Sequence, residues 1–144
     1  DTSPTLVTPT LGVASAASVN FGQDALNYYD EGTWTPADGS GGGLSITVNS
    51  ATFTRVGRLV VAVANIDYPA NASGANAKIS GLPFAAGATN DGGGPDVVYT
   101  TYGATRLSGL VDGTVLSWYN GTSVAVTNIS LASVNIRFHC VYFA

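Results

Sequence analysis

Short apolar runs alternate with clusters of turn-forming residues along most of the chain after residue 30. Runs of this length that are rich in Val, Thr, Ile and Tyr and bounded by Gly, Asn, Asp or Pro are typical of β-strands in a sandwich or barrel. The pattern predicts strands near residues 33–36, 44–48, 51–56, 58–68, 76–81, 96–103, 105–110, 114–119, 122–128 and 132–143. We therefore expect an all-β protein.

The connections between these strands contain residues that favour tight turns. Asp112-Gly113 and Asn120-Gly121 are the strongest hairpin signals, because both dipeptides readily adopt the positive φ angles of a type I′ turn. Longer connections are predicted at residues 39–43, 70–74 and 86–95. The glycine runs in the first and last of these lack the Lys-Ser/Thr ending of a phosphate-binding loop, and we interpret them as flexible loop tips.

Two of the predicted strands are more apolar than a soluble monomer requires. The segment from Leu59 to Ala64 reads Leu-Val-Val-Ala-Val-Ala, so both faces of that strand are hydrophobic and both need cover. The C-terminal strand has one apolar face from Val134 to Tyr142, and further apolar residues emerge on its other face near the end. The second faces are predicted either to meet another subunit or to be buried between two sheets of one subunit. The candidate interface residues are Leu59, Val61, Val63, Val141 and Phe143.

Residues 1–28 have a different character from the rest of the chain. They show neither a helical nor a strand period and two prolines interrupt them, which predicts an extended, non-globular connector before a domain over residues 29–144. Residues 23–29 are compatible with one short helical turn. The stretch is too polar for a membrane span, and no basic segment marks it as a signal peptide. The chain contains no Met, which we interpret as a sign that it is the end of a longer protein.

The composition narrows the possible partners. A chain of 144 residues suits a single domain. Its five basic and nine acidic residues give a formal charge of −4, which provides no electrostatic footprint for nucleic acid or anionic lipid. The single cysteine, Cys140, excludes an intramolecular disulfide and a cysteine-cluster metal site. We therefore expect neither nucleic-acid binding nor membrane insertion.

Residue types that catalysis requires are scarce. The only histidine, His139, precedes Cys140, and adjacent strand residues face opposite ways, so the two cannot act together as base and nucleophile. Acidic residues that share a connection, such as Asp91 and Asp96, have no spacing that is specific to glycoside hydrolysis. The same connection lacks the ligand pattern of a defined calcium loop. The sequence predicts a protein that is not an enzyme and that needs no metal or cofactor.

Aromatic residues beside short polar ones are the candidates for ligand binding. Such surfaces recognise sugars, because a ring packs on the apolar side of a pyranose while Asp, Asn or Thr binds its hydroxyls. Because Trp118 and Tyr119 point to opposite faces of a strand, at most one of them belongs to the core. Simple packing remains the alternative for each aromatic residue. The candidate ligand-binding residues are Asn90, Asp91, Asp96, Tyr99, Tyr102, Trp118, Tyr119 and Asn120.

Three motifs in a fixed order resemble a known family. Residues 29–36, which read Tyr-Asp-Glu-Gly-Thr-Trp-Thr-Pro, are similar to the entry motif of carboxy-terminal domains in tail fibres of tailed bacteriophages and related appendages. Residues 53–60 and 79–84 resemble two further motifs of these domains, and their spacing matches. The Thr/Pro/Gly-rich residues 3–12 are similar to the segments that precede such domains on fibre shafts. The closing strand fits more loosely.

The resemblance implies a fold, an assembly and a setting. It implies an antiparallel, jelly-roll-like β-sandwich that forms a homotrimer at the distal end of a virion appendage, either on the tail or attached to the capsid. Its implied partners are copies of itself, other appendage proteins and the host surface, where a glycan is the expected receptor. The chain departs from the family pattern after Pro36 and between Ala85 and Pro95. Receptor specificity is expected in such loops, so the resemblance transfers no contact residue.

Other functions remain open at this point. The domain could be purely architectural, as a trimerisation or head-fibre domain without receptor contact. It could accompany a catalytic domain in a polysaccharide-degrading spike and remain non-catalytic itself. A secreted carbohydrate-binding module is the alternative from another class, and it would be a monomer with a preformed aromatic platform.

Overall fold

A computed structural model describes residues 19–20, 25–26, 28–87, 93–103 and 106–144. These residues form β-strands and one short 3₁₀-helix, and none of them lies in an α-helix. The strands are β1 (Val19–Asn20), β2 (Ala25–Leu26), β3 (Tyr29–Thr33), β4 (Ala37–Asp38), β5 (Thr47–Val56), β6 (Leu59–Asp67), β7 (Lys78–Ser80), β8 (Gly94–Thr100), β9 (Leu107–Asp112), β10 (Val115–Asn120) and β11 (Asn135–Phe143). The 3₁₀-helix η1 (Asn128–Leu131) precedes the last strand.

Two antiparallel sheets contain most of these strands. One sheet has four strands in the order β4-β7-β10-β9, and the other has five in the order β3-β5-β6-β11-β8. The short strands β1 and β2 pair with each other. The all-β prediction is therefore confirmed, and the two sheets are consistent with a β-sandwich.

The core lies between the inner faces of the two sheets. Trp118 of β10 meets Phe138 of β11 edge to face, with ring centroids 5.2 Å apart. Aromatic pairs of this geometry add about 0.5–1.5 kcal/mol to the gain from burial alone. The sheets also approach each other along one edge, where the backbone N–H of Val111 donates to the carbonyl of Gly93 at 2.9 Å. Packing and this edge contact together connect the two sheets.

Glycine at the first loop position closes both two-residue hairpins. Gly57 and Gly113 have φ angles of +58° and +56°, whereas the residue after each has a negative φ. A positive φ at the first central position alone is the pattern of a type II′ turn. The hairpin at Asp112-Gly113 is thus confirmed, but the predicted type I′ turn is wrong, because the loop consists of Gly113 and Thr114 and only Gly113 has a positive φ.

The chain after β10 differs from the predicted strand over residues 122–128. The side-chain Oδ1 of Asn120 accepts hydrogen bonds from the backbone N–H groups of Thr122 and Val124, which turn the chain back. Only isolated β-bridges follow before η1. A turn forms at Asn120-Gly121 as predicted, but it is not a type I′ turn, because neither residue has a positive φ. The predicted strand was wrong because a side-chain acceptor competes here with regular strand pairing.

Two further predictions near the start of the domain are wrong in detail. The helical turn expected over residues 23–29 does not form where the structure describes it, because β2 pairs with β1 and Tyr29 already begins β3. The strand expected over residues 33–36 ends at Thr33. Pro36 has no N–H to donate to a neighbouring strand. Residues 1–18 of the predicted connector lie outside the described residues.

The glycine-rich connection over residues 39–43 is anchored, contrary to its interpretation as a flexible tip. The carboxylate of Asp38 accepts a hydrogen bond from the backbone N–H of Ser40 at 2.8 Å. Asn128 is fully buried and donates through Nδ2 to Ser40 Oγ at 2.8 Å and to Ser73 Oγ at 3.2 Å. This network ties two connections to η1, because a buried amide needs partners.

Replacement of Gly81 should destabilise the fold. Gly81 has a φ of +86°, and a Cβ at this position would collide with the carbonyl oxygen of Thr35. We expect Gly81→Ala to lower the free energy of unfolding by roughly 2 kcal/mol or more, since both backbone strain and a backbone clash act. Urea unfolding followed by circular dichroism measures this change.

Gly74→Ala provides the matched control. A Cβ at Gly74 would meet no atom within 4 Å, and its φ is not positive. We expect it to change the free energy of unfolding by no more than about 0.5 kcal/mol. Equal effects of the two substitutions would contradict the assignment of a special role to Gly81.

Candidate functional site

The outer face of the five-stranded sheet carries a strip of exposed apolar side chains. Because side chains alternate along a strand, one set on β6 and β11 fills the core and the other faces outward. The register places Val61 opposite Val141, and Leu59 opposite Phe143. The residues of this surface, called the apolar strip below, are Val56, Leu59, Val61, Val63, Val141 and Phe143.

The apolar strip includes every residue that the sequence predicted at a subunit interface. Val63, Val141 and Phe143 are 44%, 40% and 47% exposed, whereas Val60 and Cys140 on the inner face are fully buried. The alternative, in which both faces are buried between two sheets of one subunit, is not observed among the described residues. The strip is a hydrophobic surface that the described residues of the chain leave exposed.

A groove of about 490 Å³ crosses the same face next to the strip. It lies where a β-bulge interrupts the pairing of β8 with β11 at Arg137 and Phe138. Val98 projects at this bulge and is 71% exposed. The groove therefore combines apolar walls with polar groups; its outward-facing residues are Ser50, Val61, Val63, Asn65, Val98, Arg137 and His139.

Charged side chains border the strip on the side of β8. His139 Nε2 lies 3.7 Å from Asp96 Oδ2, and both side chains are substantially exposed. The guanidinium of Arg137 lies 5.2 Å from the ring centroid of Tyr99. The contact between His139 and Asp96 is an ion pair only when the imidazole is protonated, and an exposed pair of this kind then contributes only about 0–1 kcal/mol to stability. The candidate ligand residues Asp96 and Tyr99 thus lie on the same face as the candidate interface.

A polar network occupies the opposite end of this face. The carboxylate of Asp67 accepts hydrogen bonds from the side-chain amides of Asn49 and Asn135, both at 2.7 Å. Asn135 also donates to Asn65 Oδ1 at 2.8 Å. These hydrogen bonds, with a smaller contribution from the charge of Arg137, hold the pKa of Asp67 below its ordinary value.

The remaining candidate ligand residues do not join Asp96 and Tyr99. Tyr102 is half-buried and packs against the core. Tyr119 and Asn120 are half-buried and lie on β10 in the four-stranded sheet. Asn90 and Asp91 lie outside the described residues. The structure therefore separates the described candidates between the two sheets.

The prediction that Trp118 contacts a ligand needs correction. It is 1% exposed and its ring packs edge to face on Phe138, so the indole is not available to a ligand at the surface. The sequence already required Trp118 and Tyr119 to face opposite ways. The pairing of β10 inside the four-stranded sheet turns Trp118 inward and leaves Tyr119 on the outer side.

Sequence reasoning missed an aromatic cluster around Arg55. The Arg55 guanidinium lies over the rings of Tyr28 and Phe84, at 4.2 Å and 4.5 Å from their centroids, and the two rings are nearly perpendicular to each other. Phe84 also meets Phe53 edge to face, with centroids 5.3 Å apart. Tyr142 Oη donates to the Phe84 carbonyl at 3.0 Å. No local pattern could have revealed this cluster, because its members come from distant segments.

The three motifs of the sequence meet in space. Gly32 of the first motif lies against the ring of Phe53 in the second, so that an added Cβ would come within 3.1 Å of it. Gly81 of the third motif approaches the backbone of Thr35 in the first. Phe84 of the third motif packs on Phe53. Residues of all three motifs therefore contact one another in the folded chain.

The environments of Cys140 and His139 differ as expected for opposite faces of β11. Burial raises the pKa of the Cys140 thiol to about 12, so it stays protonated at neutral pH. The reactive form of cysteine is the thiolate, which burial disfavours here. His139 instead faces outward beside Asp96. The two side chains therefore do not form a nucleophile and base pair.

The described part of the chain has no group of three or more His, Cys, Asp or Glu placed to hold a metal ion. None of its helices is long and apolar enough to cross a membrane. Comparison of the chain with protein-family models, curated proteins and solved structures finds no match. The functional class is therefore inferred from the residues of the chain itself.

Asp67 should make the stability of the domain depend on pH. Because its folded-state pKa is depressed, its contribution is present above the unfolded-state pKa of about 3.9 and is lost as the pH falls through the folded-state value. We expect Asp67→Asn to remove this part of the acid-induced loss of stability. Urea unfolding across acidic pH measures it.

Asp112→Asn serves as the control for this prediction. Asp112 is exposed at the turn between β9 and β10, away from the amide network. Its replacement should leave the acid dependence attributed to Asp67 in place. An unchanged pH profile in Asp67→Asn would contradict the role of the network.

Proposed function

We propose that the chain is a non-enzymatic structural domain from the distal end of a bacteriophage tail fibre or similar virion appendage. In this proposal it forms a homotrimer through the apolar strip and contributes to attachment to a host-surface glycan. The observation that carries the proposal is the apolar strip. Contiguous exposed apolar surface of this kind marks sites where proteins meet other molecules.

The energetics favour another copy of the chain as the cover of the strip. Complete burial of a Val or Phe side chain contributes roughly 1.5–3 kcal/mol, so covering a half-exposed one contributes on the order of 1 kcal/mol. Val63, Val141 and Phe143 are each close to half-exposed. A symmetric assembly repeats this gain in every subunit, which offsets the entropy lost on association.

The contacts among the three motifs also support the proposal. The resemblance to tail-fibre domains rests on residues 29–36, 53–60 and 79–84, and these segments contact one another through Gly32, Phe53 and Phe84. Three motifs that pack against one another support a resemblance to one kind of domain more strongly than three motifs that make no contact. The resemblance thus has a physical basis in one connected part of the domain.

In this proposal the five-stranded sheet forms the subunit contact and the four-stranded sheet carries the ligand contact. If the strip on the five-stranded sheet forms the subunit contact, then Asp96 and Tyr99 lie close to that contact. Tyr119 and Asn120 lie on the other sheet and stay accessible to a ligand. Three copies of a weak site would raise the avidity for a surface glycan through effective concentration, without a deep pocket.

Charge placed in the strip should prevent assembly. We expect the unaltered chain to sediment as a homotrimer at micromolar concentration in analytical ultracentrifugation. The double variant Val141→Asp and Phe143→Asp should sediment as a monomer, because association would bury unpaired carboxylates. Both positions are exposed in the subunit, so the substitutions need not disturb its core.

Leu110→Asp is the matched control for this experiment. Leu110 is 52% exposed on β9 of the four-stranded sheet. A chain with this substitution should remain trimeric. A monomeric unaltered chain, or equal dissociation by Leu110→Asp, would contradict assembly through the apolar strip.

Glycan binding separates attachment from a purely architectural role. We expect the assembled chain to bind a subset of bacterial surface glycans on an array, and Tyr119→Ala to weaken that binding about tenfold or more through loss of ring stacking. Tyr29→Phe, on the other sheet, should bind as the unaltered chain does. A trimer that binds no glycan would favour the architectural alternative, and a glycan-binding monomer would favour a secreted carbohydrate-binding module.

A further inference from the structure

The loop after β10 holds an asparagine in an unusual hydrogen-bonding environment. Asn120 directly precedes Gly121 in the sequence. Asn120 Oδ1 accepts three hydrogen bonds: from the backbone N–H of Thr122 at 3.1 Å, from its hydroxyl at 2.8 Å and from the backbone N–H of Val124 at 2.9 Å. Residues 121–124 are exposed to solvent.

We propose that Asn120 is a site of spontaneous deamidation, and that the hydrogen bonds of its own loop promote the reaction. The backbone nitrogen of Gly121 attacks Cγ of Asn120 and loses its proton to water, which forms a five-membered succinimide. The bond from Cγ to Nδ2 breaks, and ammonia leaves after taking up a proton from water. Water then opens the ring at either carbonyl and yields aspartate or isoaspartate. One water enters and one ammonia leaves overall.

The three donors around Oδ1 provide the physical reason for promotion. Negative charge develops on Oδ1 when the nitrogen attacks, and donors that already point at this atom stabilise that charge as an oxyanion hole does. The attacking and accepting atoms belong to neighbouring residues, so the step is intramolecular and gains from proximity. The loop thus resembles a small preorganised site built around a single carbonyl.

Gly121 is suited to act as the nucleophile. It has no Cβ to shield its nitrogen. None of the hydrogen bonds found among residues 28–87, 93–103 and 106–144 uses its N–H as a donor. Backbone hydrogen bonds hold the surrounding loop in place: Ser123 donates to the Asn120 carbonyl, and Asn120 donates to the Val124 carbonyl, both at 2.9 Å. The nitrogen is therefore free to react while its surroundings stay ordered.

The modification would change the surface beside Tyr119. Aspartate adds a negative charge, and isoaspartate also adds one backbone atom at the end of β10. Tyr119 forms a β-bridge with Ala125 across this loop, so a longer backbone alters their pairing. The inference does not depend on the proposed function, but the affected loop is the one that the proposed function assigns to ligand contact.

Timed incubation of the full chain at neutral pH tests the proposal. Peptide mapping by mass spectrometry, with isoaspartyl methyltransferase as a second readout, measures conversion at each asparagine. We expect conversion at Asn120 to exceed that at Asn49, which is exposed and precedes Ser50. Thr122→Val removes one donor and should slow conversion at Asn120 roughly fivefold, whereas Thr122→Ser keeps the hydroxyl and should retain the rate.

Gly121→Ala tests the nucleophile separately. A Cβ at this position would lie 3.7 Å or more from its nearest neighbours, so alanine fits the loop. The substitution should slow conversion at Asn120, because the methyl group shields the attacking nitrogen.

The proposal is overturned if Asn120 converts no faster than Asn49, or if Thr122→Val reacts as fast as or faster than the unaltered chain. The second result would mean that the hydrogen bonds protect the side chain.

Discussion

Strand β6 is apolar on both faces, so its own sequence does not determine which face enters the core. The strands that pair with it determine this. Its residues from Leu59 to Ala64 are hydrophobic without interruption, so a slip of one residue would exchange two apolar faces. The alternating pattern of β11 removes this ambiguity, because Arg137 and His139 cannot be buried without partners. The register of β6 against β11 therefore fixes which side chains of β6 point outward. The candidate interface depends on this register.

Small residues on the inner face of β6 then shape the core. Ala62 and Ala64 flank Val63, and the carbonyl of Val63 accepts a hydrogen bond from Trp34 Nε1 at 3.1 Å. Large indole rings need space near the backbone, and alanine provides it. Gly57 contributes at the end of the hairpin, since its positive φ allows the tight turn that starts β6 in the correct register. The register of β6 therefore determines both which of its side chains pack in the core and which are exposed on the outer face.

The parts of the fold that the sequence predicted are those that local pattern determines. Alternation along β11 and the Asp112-Gly113 dipeptide were enough to place a buried face and a hairpin. The turn at Asn120 was also predicted, but the strand after it was not, because the side chain of Asn120 bonds to the backbone. The inward direction of Trp118 and the stacking of Arg55 depend on contacts between distant segments. Contacts between distant segments produce no regular spacing of apolar and polar residues from which they could be predicted.

The outer face itself indicates where a partner would sit. Val63 pairs with His139, which in turn pairs with Asp96, so a partner that covers Val63 must also cover or border a polar imidazole and a charged carboxylate. Burying charges costs several kcal/mol per ion unless they stay paired, whereas each half-exposed apolar side chain returns on the order of 1 kcal/mol. Leu59 and Phe143 lie at the far end of the strip, two cross-strand rows beyond Val63. In the proposed assembly, this balance favours a subunit contact centred on this end, near the Gly57 hairpin, with His139 and Asp96 at its solvated rim.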